Sequence, residues 1–132
     1  MTHAIRNMQN HLKNVWEFDK WGFTQGWGSK CTLSDVDGFY GFMGERNDQF
    51  IVVEMKHWDG IGDVPKMPEK SGQAIMLWRL SQQPNFSVII GYGDTSAQKV
   101  YYAEVWNNGR KLKSNDFKES LTLWWAWASA QR

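Results

Sequence analysis

Phe50-Ile51-Val52-Val53 is an unbroken apolar run that ends in Glu54-Met55-Lys56. A short run rich in β-branched residues and bounded by turn signals reads as a buried strand. Charges at the end of such a strand need a reason, because desolvating an unpaired charge costs several kcal/mol. Side chains alternate along a strand, so Glu54 and Lys56 share one face while Val53 and Met55 take the other. Any fold open to this chain must therefore keep a carboxylate and an ammonium together at the end of a buried strand.

A hairpin supplies them with company. Asp37–Met43 and Gln49–His57 flank Gly44-Glu45-Arg46-Asn47-Asp48, a turn-forming segment that predicts an antiparallel pair. A turn centred between Glu45 and Arg46 sets Asp37 directly opposite Glu54, and directly opposed residues share a face. Two carboxylates and an amine then converge. Two such acids repel, and a hard divalent cation such as Mg²⁺ relieves that repulsion while keeping water and substrate phosphates in its shell. The metal acidifies its water and offsets charge at a scissile phosphate, and a nearby ammonium orients the water or stabilises developing charge. The set suits phosphodiester hydrolysis.

The rest of the chain reads as one domain over residues 1–132, since 42% of residues are hydrophobic and only 22% charged. Ile5, Met8, Leu12, Val15 and Trp16 predict an amphipathic helix ending near Asp19. Ser71 can cap a helix carrying Ala74, Ile75, Met76, Leu77, Trp78 and Leu80, which stops near Pro84. Phe86–Tyr92 reads as a buried strand, Val100–Trp106 as a half-buried one, and Asn107-Asn108-Gly109 as a turn. A last helix starts near Asp116, with Glu119 completing an acidic capping box and Phe117, Leu121, Trp124, Trp125 and Ala128 forming its core stripe. The predicted order is helix, two strands, helix, two strands, helix: an α/β sandwich with a central mixed four-stranded sheet flanked by helices.

The lone cysteine, Cys31, cannot form an internal disulfide, and Met1–Asn10 carries no apolar run that would make a signal sequence. A cytoplasmic setting without membrane insertion is the expectation. A net charge of +1 does not mark an avid electrostatic binder of nucleic acid, so phosphates must be met by a local patch.

At Ser34-Asp35-Val36-Asp37-Gly38-Phe39-Tyr40 and Phe50-Ile51-Val52-Val53-Glu54-Met55-Lys56, the sequence resembles the PD-(D/E)XK nuclease superfamily. That pattern runs from an acid at a strand, through a hairpin turn, to (D/E)-x-K in an apolar strand. The resemblance extends to Gly72-Gln73-Ala74-Ile75-Met76-Leu77 and is greatest to small phage-type nucleases and Holliday-junction-resolvase-like members. It implies a restriction-endonuclease-like fold and a metal-dependent DNA endonuclease using Mg²⁺ or Mn²⁺. It also implies that Asp37 and Glu54 are metal ligands, the Met55 carbonyl a further ligand, Lys56 the catalytic amine and Gln73 a neighbour of the set. Gln73 shares a helix face with Met76, Leu77 and Leu80, where an amide is better explained by a polar site than by solvent. Ser34 and Val36, not proline, precede the two acids, so Asp35 stays open beside Asp37; pairing with Glu54 favours Asp37. Some relatives add an acid from the first helix, for which Glu17 and Asp19 are candidates, although Glu17 falls away from the apolar stripe and reads as solvated.

Paired sites in small nucleases of this kind suggest a homodimer and a structure-selective action on branched or nicked DNA. Competing readings are an aromatic-rich single-stranded nucleic-acid-binding module, since nine Trp can stack on bases, and an inactive nuclease fold acting through protein partners. The bland reading of the acids and Lys56 is a structural ion pair, which ranks behind the functional one, and that of Gln73 is a local bond. His57 points away from Lys56 and is set aside. His3, His11, His57 and Cys31 lack zinc spacing, and Gly91-Tyr92-Gly93 lacks the third glycine of a dinucleotide loop. Arg110-Lys111-Leu112-Lys113 reads as a solvated loop ahead of a phosphate-holding one, and Leu123 with Trp127 as a leftover apolar face for a dimer contact or base stacking.

Overall fold

The computed structural model describes residues 36–45, 47–67 and 70–130. All fall within the compact unit Asp35–Arg132, so the helix expected over Ile5–Asp19, and Glu17, Asp19 and Asp35 with it, lie outside the described residues. The described chain is α/β. Five strands, β1 (Gly38–Met43), β2 (Asp48–His57), β3 (Phe86–Asp94), β4 (Lys99–Asn107) and β5 (Arg110–Ser114), form one sheet in the order β1-β2-β3-β4-β5. Among the described residues, two helices accompany them, α1 (Gly72–Ser81) and α2 (Phe117–Ala130).

The sheet is mixed because α1 intervenes between β2 and β3. Those two strands pair in parallel, which demands a crossover, whereas β1–β2, β3–β4 and β4–β5 are antiparallel neighbours joined by short turns. β3 is buried from Ser87 through Gly93 because a helix covers each of its faces. Val52, Val88, Ile90, Tyr92 and Trp106 meet Leu77 of α1 on one face. Ile51, Val53, Ile89 and Ala103 meet Phe117, Leu121 and Trp124 of α2 on the other.

Four strands were expected and five are present among the described residues. The fifth is the basic run Arg110–Lys113, which is an edge strand and not a loop. Asn108 and Gly109 both hold positive φ, 50° and 79°, the two-residue geometry whose twist matches the flanking strands of a hairpin. Lys111 and Lys113 then fall on one face and Leu112 on the other. A second correction concerns α2. Phe117, Leu121, Trp124 and the fully buried Ala128 face the sheet as expected, but Trp125 is 58% exposed, since one helix turn cannot aim adjacent Trp residues at the same core. Leu123 and Trp127 are exposed, and both line a groove of about 810 Å³ between α2 and β4–β5.

Both helix starts follow the sequence signals. The Ser71 hydroxyl accepts the Ala74 N–H at 3.1 Å, and the Asp116 carboxylate accepts the Glu119 N–H at 2.9 Å. Ser71→Ala is expected to cost about 1 kcal/mol in a urea melt. A loss under roughly 0.3 kcal/mol, below the usual range for such a cap, would show that packing alone holds this helix end. Among the described residues, no helix is long and apolar enough to cross a membrane.

Candidate active site

The register of the hairpin decides what meets what. Gly38 pairs with Val53 and Met43 with Asp48, so one further step along the ladder brings Asp37 level with Glu54. The Asp37 N–H donates to the Val53 carbonyl at 3.0 Å, and its carboxylate Oδ2 accepts the Met55 N–H at 2.7 Å. Asp37 is exposed at the end of β1, yet its side chain is fastened to the backbone between Glu54 and Lys56.

Glu54 and Lys56 lie on the α1 face of β2, two residues beyond the buried Val52. Glu54 is 6% exposed, an uncommon place for a carboxylate. Gln73, in the first turn of α1, bridges the pair. Its Oε1 accepts from Lys56 Nζ at 2.7 Å, and its Nε2 donates to Glu54 Oε2 at 2.8 Å. Only that amide orientation satisfies both neighbours, since an ammonium has no acceptor and an ionised carboxylate has no donor. The direct Lys56–Glu54 contact is longer, 3.9 Å, so the carboxamide carries most of the connection. The Lys56 side chain keeps 34% of its surface exposed and can reach a ligand from solvent. The positive end of α1 adds to the cationic side of this arrangement.

The Met55 side chain turns to the opposite face. A Cβ at Gly91 would stand 2.7 Å from its Sδ and Cε, so glycine there leaves the room that Met55 fills. Met55 therefore contributes backbone to the site and side chain to the α2 core. His57 is exposed and follows on that same opposite face.

Tyr92 was not anticipated beside this set. The parallel register makes it the Cα partner of Lys56, and it is 3% exposed. Burial, with a smaller push from the Glu104 carboxylate, raises its phenol above the usual value against a backbone hydrogen bond from Met67 that lowers it, so Tyr92 stays a protonated donor near neutrality. The signal lay in strand pairing: an apolar strand following a crossover helix pairs in parallel with the strand before it, and Tyr92 closes that run.

Among the described residues, no three His, Cys, Asp or Glu side chains gather into a metal-holding group. Asp37, Glu54 and the Met55 carbonyl would together offer an all-oxygen donor set with two carboxylates. Such a set would fit an ion such as Mg²⁺, which typically takes one or two protein carboxylates and keeps the rest of its shell for water and phosphate. It does not match a closed structural site. None of the protein-family models, curated proteins or solved structures compared with this chain matches it.

Proposed function

We propose that this chain is a metal-dependent DNA endonuclease of the PD-(D/E)XK type, with a restriction-endonuclease-like fold, hydrolysing phosphodiester bonds with Mg²⁺ or Mn²⁺. The observation that supports it most is the bonded sequence Lys56–Gln73–Glu54 at the end of a buried strand, with Asp37 anchored on the backbone between them. A polar cluster on an otherwise apolar strand end costs stability, and a catalytic role accounts for that cost.

Asp37, Glu54 and the Met55 carbonyl would hold the ion. Bound there, a divalent cation supplies an acidified water and offsets charge on the scissile phosphate. Gln73 fixes the Lys56 ammonium, which can donate to a phosphate oxygen or to the attacking water. Asp37 and Glu54 carry the negative charge that selects a cation. Action on branched or nicked DNA in phage-type DNA processing, a homodimer and a cytoplasmic setting belong to the same proposal.

The test offers supercoiled plasmid, single-stranded DNA and a four-way junction with Mg²⁺, Mn²⁺ or EDTA. Cutting that appears with either metal and vanishes in EDTA is expected. DNA binding with no cutting under any condition would replace this reading with a binding module. Gln73→Ala should lower the cleavage rate by about tenfold, the usual scale for a residue that orients a first-contact group. An unchanged rate in that variant would make the carboxamide bridge a structural detail.

A further inference from the structure

Three phenyl rings stack across the α1 face of the sheet near the start of β2. Phe86 on β3 and Phe50 on β2 have ring centroids 5.2 Å apart at 27°. Phe50 and Phe39 on β1 have centroids 5.7 Å apart, and their planes differ by only 6°. The spacing follows the strand separation of about 4.8 Å, so the stack runs across the strands and not along them. Its geometry depends on Gly41, which pairs with Phe50: a Cβ there would come within 3.1 Å of the Phe50 ring. Without a side chain at Gly41, the Phe50 ring lies flat over β1 and meets Phe39 face to face.

β1 is the terminal strand of the five-stranded order, and Phe39, the last ring of the stack, is 56% exposed. An aromatic ring exposed at the end of an ordered stack is a surface for one more flat π-system. Its position says which. Phe39 lies two residues from Asp37 on the same face, roughly 7 Å along the chain at about 3.4 Å per residue. A phosphate held by the Lys56 ammonium beside Asp37 and Glu54 would place a neighbouring base of its own strand within reach of Phe39. A paired base within duplex DNA has both faces covered by its neighbours, so only an unpaired, unstacked base can complete the stack.

We propose that Phe39, backed by Phe50 and Phe86, is a stacking platform for an unpaired base next to the phosphate held at the acid–lysine site, and that the preferred substrate class is therefore DNA carrying single-stranded character. This rests on the nuclease reading for the position of the phosphate. Stacking itself is independent of chemistry, so the two are separable by experiment.

Binding of the full chain to a dye-labelled oligothymidylate and to a duplex is measured by fluorescence anisotropy in EDTA, where no cleavage can occur. Tighter binding to oligothymidylate is expected. Phe39→Ala should weaken it by about tenfold and leave duplex binding unchanged, and Phe39→Trp should retain it. Phe39→Leu should fail like alanine, because it keeps the apolar surface without the ring. Wild-type-like binding by the alanine or leucine variant, or equal losses on duplex, would overturn the platform. So would gel filtration showing a wild-type dimer that Phe39→Ala dissociates, since a second copy would then cover this ring. Intact oligothymidylate binding in a protein that cuts nothing with metal would instead remove the nuclease reading and leave the platform standing.

Discussion

Alanine at Lys56 is expected to lower DNA cleavage by at least about 10²-fold, with Glu54→Gln falling as far, while circular dichroism and the urea midpoint of each variant show a folded protein. The two substitutions remove different things. Lys56→Ala deletes the ammonium that Gln73 holds at 2.7 Å, leaving the carboxylates in place. Glu54→Gln keeps the side-chain shape at a 6% exposed position but replaces the carboxylate proposed to hold the cation with a neutral amide. Cation affinity should separate them, and titration with Mn²⁺ followed by calorimetry reads it: Glu54→Gln should bind Mn²⁺ much more weakly, Lys56→Ala about as well as wild type. Survival of more than a tenth of the wild-type rate in either variant would remove that residue from the chemistry. Loss of Mn²⁺ binding in the lysine variant alone would reverse the two roles.

Stability should respond most to Leu77. This side chain is 1% exposed and is the buried contact of α1 with Val52, Val88, Ile90 and Tyr92. Leu77→Ala is expected to cost about 3 kcal/mol in urea denaturation, from lost transfer energy and from a cavity the sheet cannot close. Leu123→Ala is the matched control, since that leucine is 61% exposed, and should change stability by under about 0.5 kcal/mol. Equal effects at the two positions would mean that α1 is not held to the sheet by this contact. The cleavage rate of the folded Leu77→Ala fraction should fall less than that of Gln73→Ala, because the capped first turn carrying Gln73 keeps its own Ser71 bond.

Much of this arrangement is legible in the sequence. The hairpin register followed from the position of its turn, because antiparallel pairing propagates rigidly from the loop; Gly38 opposite Val53 and Met43 opposite Asp48 leave no freedom for Asp37. The caps at Ser71 and Asp116 were visible because capping is a local interaction between a side chain and nearby N–H groups. What escaped depended on partners distant in sequence. β5 reads as a polar loop because Lys111 and Lys113 contribute no apolar alternation, although Asn108-Gly109 already carried the hairpin signal. Helical spacing places Trp125 inward because it defines a stripe but not its width. The carboxamide bridge was foreseeable only as a nearby amide; that Gln73 reaches both Glu54 and Lys56 depends on where the crossover helix lands on the sheet. Tyr92 was missed for the same reason.

The edge strand β5 carries a further consequence, for solubility. The outer strand of a sheet offers a row of backbone donors and acceptors that another chain can extend, and exposed apolar edges invite aggregation. Arg110, Lys111 and Lys113 place three cations in a five-residue strand, so two copies meeting edge to edge would bring like charges together. Lys111 sits 4.7 Å from the Trp106 ring centroid and 5.0 Å from that of Trp78, shielding both aromatic faces as well. Like charges along β5 thus oppose growth of the sheet through that edge.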